Sequence, residues 1–220
     1  MTKRTAVGLP PELARRANLV LRPRDAADVY AHPRPEMARL VKNGAARRLA
    51  TGYYLLVPGR HLGDDTWRPD LHAVGLGIGQ ADYGQDGAAL MGVGAARQFG
   101  AVPREIAITF IAVPKQRPPL ETNVGQVVFV RRDMTVLDLE RIETEVAPGW
   151  VTTPEQTLLD LAARPTLGGL PPDAITEALR ALWLRADTDL LTELAAGQRK
   201  TAALKRARRL IEGDSDAGPE

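Results

Sequence analysis

An α+β chain follows from three features of the sequence. Residues 21–57, "LRPRDAADVYAHPRPEMARLVKNGAARRLATGYYLLV", read as a helix, a tight turn, a second helix and a two-stranded ribbon. Residues 105–150 read as β-strands, and residues 153–212 as helices with sharp start signals. The predicted architecture is an N-terminal winged helix-turn-helix over residues 1–60, then a mixed α/β domain over 67–212 ending in helices. Residues 213–220 are expected to be a disordered tail.

Taken in order, "PPELARRANLVL" predicts a short first helix opened by Pro10-Pro11, since proline is welcome in a first helical turn. Arg22-Pro23 opens the next helix, expected through Tyr30, and Ala31-His32-Pro33 is the turn. The second helix is expected to begin near Pro35. Met37, Leu40 and Val41 share one face of it, and Arg34, Arg39 and Lys42 the other. Asn43-Gly44 stops that helix, glycine tolerating a left-handed C-terminal position. "RRLATGYYLLV" then forms a hairpin about Thr51-Gly52. Val29, Met37, Leu40, Val41, Leu49 and Tyr54 are the expected small core. Pro58-Gly59 marks the boundary, and "GRHLGDDTW" reads as a polar connector.

Residues 67–100 carry two competing patterns. Val74, Leu76 and Ile78 alternate as in a strand, whereas Leu71, Val74, Ile78 and Ala81 follow helical spacing. Gly75, Gly77 and Gly79 would each cost a helix about 1 kcal/mol against alanine. A helix is preferred, because the span is long and Arg68-Pro69 opens it well. "GAALMGVGAARQFG" predicts a strand or loop and a short helix from Val93 to Phe99, closed by Gly100. "EIAITFIAV" and "VGQVVFVRR" are strands separated by "PKQRPP", and "TVLDLERIETEV" contains a third. Thr153 is the expected N-cap of a helix with Pro154 at its first position and Gln156 completing a capping box. After the break "PTLGGLPP", helices are expected over Pro172–Arg185, Thr188–Ala196 and Lys200–Glu212.

Charge is segregated along the chain. Residues 1–60 hold twelve Lys/Arg against four Asp/Glu, residues 61–196 eleven against nineteen, and residues 197–220 six against four. A basic head on an acidic body points to a nucleic-acid-binding end and a body with another task. On the second helix and ribbon, the residues expected to bind DNA are Arg34, Arg39, Lys42, Asn43, Arg47 and Arg48, with Arg22 and Arg24 before them. Such cations neutralise phosphates and release counterions, and an arginine can fork onto a guanine edge. The alternative is a solvated face on a protein-binding winged helix. The last helix offers a second phosphate or partner contact through Lys200, Lys205, Arg206 and Arg209, or simply a charged solvent face.

Several function classes lack their residues. Cysteine is absent, which removes disulfides, thiolate nucleophiles and cysteine-based zinc sites. Ser215 is the sole serine and lies in the tail, so no Ser-His-Asp triad is available. His32, His61 and His72 have no metal-ligand spacing. No Gly-x-x-x-x-Gly-Lys loop is present, and the acidic residues Asp138, Glu140, Glu143 and Glu145 read as a solvated strand edge. No apolar run is long enough to span a membrane and no signal pattern opens the chain. No catalytic residue, metal or cofactor is therefore expected, and the first reading is a cytoplasmic protein that is not an enzyme, with an enzyme acting on another protein as the alternative.

"RRLATGYYLLVPG", "AALMGVGAARQFGAVPREI" and "WVTTPEQTLLDLAARPTLGG" together resemble the AbiEi family of antitoxins over about residues 12–211. The resemblance implies the antitoxin of a bacterial toxin–antitoxin operon whose partner is an AbiEii-like nucleotidyltransferase toxin. It also implies binding to repeats in double-stranded promoter DNA through the winged helix, with autorepression, by a monomer in solution that binds DNA cooperatively. Neutralisation without a stable toxin complex is compatible with this. Two other routes stay open: covalent inactivation of the toxin by a phosphotransferase-like activity, and direct toxin binding. Within the Thr153–Ala162 motif the expected roles are structural, Thr153 capping, Leu159 buried and Asp160 holding a neighbouring loop.

Overall fold

The computed structural model describes residues 9–102, 107–165 and 170–213. The expected tail, apart from Gly213, lies outside these residues, as does most of the break after Pro165.

Helix α1 is a single turn, Pro11–Ala14, far shorter than the sequence predicts. The reason is tertiary. Asn18 turns the chain, its Oδ1 accepting from Val20 N at 2.9 Å while its Nδ2 donates to the Gly77 carbonyl at 2.9 Å. Strand β1, Val20–Leu21, follows. The helix expected to run from Pro23 to Tyr30 is a 3-10 turn over Pro23–Ala26, closed by Asp25 accepting from Arg22 N at 2.8 Å. Helix α2 spans Pro33–Lys42, starting two residues before the expected point. Its two prolines fall in the first turn, where no intrahelical donor is needed. Strands β2, Ala46–Ala50, and β3, Tyr53–Leu56, pair antiparallel about Gly52, which has φ +84°. The three strands form a small sheet in the order β1-β3-β2.

The body opens with α3, Leu71–Tyr83, capped by Asp70, whose side chain accepts from Ala73 N. This is the predicted helix, and its first ten residues are all buried. The glycines that cost it propensity allow close approach on two sides. A Cβ on Gly75 would lie 2.7 Å from Thr109 Cγ2, and one on Gly77 would lie 2.7 Å from Val20 Cγ2. Strand β4, Ala89–Met91, leads directly into α4, Gly92–Gln98. Then come β5, Ile108–Val113, β6, Leu120–Thr122, β7, Gly125–Arg131, β8, Leu139–Ile142, and β9, Gly149–Thr152. Helices α5, Pro154–Ala163, α6, Pro172–Trp183, α7, Thr188–Gly197, and α8, Thr201–Glu212, complete the described chain.

The six strands of the body form one mixed sheet, ordered β6-β7-β5-β4-β9-β8, with β4–β9 and β5–β7 parallel. Alternation along β5 sorts side chains to two sides. Ile111 and Val113 join Val74, Leu76 and Ile78 of α3, while Phe110 and Ala112 join Leu158, Leu179 and Leu191 of the later helices. The sheet is thus a middle layer between α3 and the α4–α8 group. The cluster around α3 also takes in Val20, Leu49, Tyr53, Leu55 and Val57 from the N-terminal unit. Leu49 therefore leaves the small core assigned to it. That core is closed instead by Leu13, Leu21, Ala26, Met37, Leu40, Ala45, Ala46 and Leu56, with Val29, Val41 and Tyr54 partly buried at its edge.

The capping box at α5 is half formed. Thr153 accepts from Gln156 N, but the Gln156 side chain turns away to Asp138 N and to Gln198. Asp160 does hold neighbours. Its Oδ1 accepts from Arg132 Nη2 at 2.7 Å and from Lys200 Nζ at 2.6 Å, with the carboxylate side chain only 3% exposed.

Candidate nucleic-acid interface

Helix α2 presents the residues that matter because its apolar face is already spent on Met37 and Leu40. Arg34, Arg39, Lys42 and Asn43 are left exposed. Arg39 Nε donates to Glu36 one turn back at 2.7 Å, and this pair holds its guanidinium firmly charged. Arg34 and Lys42 have no ion-pair partner among the described residues. Arg24 is exposed and lies 3.5 Å from Asp25. Arg48, exposed on β2, donates to Thr51 Oγ1 at 3.1 Å across the hairpin turn.

Two of the expected DNA contacts are engaged elsewhere. Arg47 Nη1 donates to the Trp67 carbonyl at 2.5 Å and Nη2 to the Asp64 carbonyl at 3.2 Å, and the guanidinium lies 5.0 Å from the Trp67 ring. Trp67 in turn stacks on His61, ring centroids 4.7 Å apart. The connector is therefore pinned rather than loose. Arg22 Nη1 donates to Asp82 Oδ1 at 2.7 Å. Asp82 also accepts from Tyr53 Oη at 2.6 Å and from Arg117 Nη1, whose guanidinium covers the Phe129 ring at 4.1 Å. Burial pushes the Tyr53 phenol above its usual 10.0.

These contacts seat the N-terminal unit on the body from several sides. Leu19 N donates to the Val146 carbonyl at 3.0 Å, and Asn123 N to the Leu49 carbonyl at 3.0 Å. Arg60 pairs with Glu145 at 3.2 Å, so one of the acidic residues read as a solvated edge holds the joint instead. Between the end of α2, β2 and the connector lies a cleft of about 880 Å³. It brings Asp64 and Asp65 alongside Lys42, Asn43, Arg47 and Arg48.

The C-terminal cations divide in the same way. Lys200 donates to Asp160, and burial lowers its pKa below the usual 10.5. Arg206 donates to the carbonyls of Ala162 and Ala163, closing the C-terminal end of α5. Lys205 and Arg209 are exposed. His72 is buried with Nδ1 2.8 Å from Thr109 Oγ1. Among the described residues no three His, Asp or Glu side chains gather as a metal site.

A family model for the AbiEi antitoxin C-terminal domain matches residues 87–213, from just before β4 to the end of α8. The chain belongs to the AbiEi antitoxin family. Comparison with curated proteins yields no match. The matched region of this AbiEi antitoxin contains the whole mixed sheet and the α4–α8 layer; α3 and the N-terminal unit precede it. An antitoxin role in a toxin–antitoxin system follows from this membership, and with it a toxin as partner in general. No helix among the described residues is long and apolar enough to cross a membrane.

Sequence reasoning missed Asp82, Tyr53, Arg117 and Trp67, which fix the two cations that are no longer free. Their only local signal was chemical type. Each pairs with a partner distant in the chain, as Arg22 does with Asp82 sixty residues on.

Proposed function

We propose that this AbiEi antitoxin represses its own operon by binding promoter repeats through a winged helix formed by residues 9–57, and that it neutralises a nucleotidyltransferase toxin. The observation that carries the DNA-binding half is the exposed cationic face of α2, Arg34, Arg39 and Lys42, flanked by Arg48 on the hairpin. The order helix, strand, turn, helix, hairpin, with a β1-β3-β2 sheet behind α2, supports the same reading. In that arrangement the second helix enters the major groove and the hairpin lies along the backbone. Arg34 and Lys42 are the contacts with the least to give up, having no carboxylate partner among the described residues.

The test is a mobility-shift titration on the operon's own promoter fragment over a range of salt. Arg34→Ala with Lys42→Ala is expected to weaken binding and flatten the salt dependence, by about one unit of slope for each phosphate that is no longer neutralised. Toxin neutralisation in cells should survive, because both residues lie outside the matched antitoxin domain. A shift and slope equal to those of the unaltered protein would overturn the proposal.

A further inference from the structure

A second cationic site sits on the body, apart from the exposed face of α2, and it takes in Lys200 of the C-terminal cations. The end of β7, the Val136–Leu137 loop and the α7–α8 turn enclose a cleft of about 350 Å³. Arg131, Arg132, Arg199 and Lys200 all line it, against the single carboxylate of Asp133. That carboxylate is already engaged by Thr135, through its backbone N–H at 3.0 Å and its hydroxyl at 2.7 Å.

Two of the four cations are held in place from below. Arg132 and Lys200 share the one buried Oδ1 of Asp160, so two positive charges meet one negative. Arg132 Nε and Asp160 Oδ2 are both buried without a hydrogen-bond partner among the described residues, so this ion pair is made through one oxygen only. The other two, Arg131 and Arg199, are exposed and form no ion pair among the described residues. Arg199 has φ +56°, the left-handed conformation that glycine adopts at least cost. Its turn is closed by Lys200 N donating to the Ala195 carbonyl at 2.7 Å and Arg199 N to the Ala196 carbonyl at 3.2 Å. An arginine therefore occupies a strained position beside the cleft where glycine would relieve the strain. Helix α8 starts at this turn without a side-chain cap on its first N–H groups. At the cleft wall Val136 is 57% exposed, one of the few large apolar side chains left in solvent.

We propose that this cleft binds a small nucleoside polyphosphate, with Arg131, Arg132, Arg199 and Lys200 on the phosphates and Val136 against the base. Pre-positioned cations with surplus charge suit a phosphate chain. A concave site of this volume matches a small ligand, whereas a duplex backbone calls for an open face. The exposed valine adds an apolar surface that inorganic phosphate would not use.

Calorimetric titration of the full chain with ATP, with tripolyphosphate and with a non-operator duplex tests the proposal. Saturable binding of ATP and tripolyphosphate is expected. Arg131→Ala combined with Arg199→Gly should weaken both by about tenfold or more, as removal of charge-assisted hydrogen bonds implies. Arg199→Gly removes the left-handed strain, so this variant should unfold no earlier than the unaltered protein, which separates a binding defect from a folding defect. Val136→Asp should weaken ATP more than tripolyphosphate. The proposal is overturned by no saturable binding, by binding unchanged in the double variant, or by binding of the duplex alone.

Discussion

Asp160 shows how much one carboxylate can carry. It lies beneath two cations, Arg132 and Lys200, that come from the end of strand β7 and the start of α8. Burial alone would expel the charge on Lys200, and the nearby carboxylate opposes that tendency. Replacing Asp160 with Asn leaves two partly buried positive charges facing each other. Breaking one side of a buried pair costs about 3–5 kcal/mol. Asp160→Asn should therefore lower the unfolding free energy by that order, read from the shift of the urea midpoint with a far-ultraviolet probe. Tyr53 yields a pH prediction. Its phenol titrates above 10.0 in the folded chain because burial disfavours the phenolate. The folded state thus holds the proton more tightly than the unfolded state. The resulting stability is fully present below pH 10.0 and is lost as pH rises through the raised value. In unfolding curves taken on either side of pH 10.0, Tyr53→Phe should show a shallower decline than the unaltered protein. It should also start about 1 kcal/mol less stable, since it lacks the hydrogen bond to Asp82.

At the scale of elements, Arg47 and Arg48 are neighbours on β2 with opposite duties. Arg48 is exposed, whereas Arg47 is tied to the connector carbonyls and to Trp67. Arg48→Ala should reduce the salt dependence of promoter binding by about one unit with little change in stability. Arg47→Ala should do the reverse, lowering the thermal midpoint and leaving the slope nearly unchanged. Parallel mobility-shift and melting experiments on the two variants would check this. The same contrast explains what could be read from the chain. The start of α5 was legible because its signal is local: Thr153 caps and Pro154 follows. The hairpin about Gly52 was legible for the same reason. Strands β6 and β9 went unread because they are only three and four residues long; β6 closes a tight hairpin with β7, whereas β9 also owes its form to a remote partner, Ala89 for Trp150. The first helix was overread because Asn18 exchanges helical bonds for a contact with α3. At the candidate interface, exposure of Arg34, Arg39 and Lys42 followed from helical spacing. The diversion of Arg22 and Arg47 did not, since nothing near them in sequence announces Asp82 or Trp67.

For the molecule as a whole, charge segregation in the sequence suggested two separable parts, but packing joins them. Val20, Leu49, Tyr53, Leu55 and Val57 belong to the same apolar cluster as α3 and the mixed sheet. A fragment ending at residue 60 would expose that surface and keep only the smaller cluster around Met37 and Leu40. A unit of that size is marginal even with its core intact. The fragment should therefore lack a cooperative melt and bind an apolar dye, whereas extension through α3 should restore some of the transition. A sharp, two-state melt of the short fragment would contradict the shared core. Helix α3 makes this arrangement possible, and it behaves like a keyed shaft. Its notches at Gly75 and Gly77 receive Thr109 on one side and Val20 on another. A helix turns about 100° per residue, so a single inserted residue upstream of the notches would rotate both out of register together. One codon gained there would unseat the head and the sheet in the same step, while one gained at the exposed hairpin tip would disturb neither.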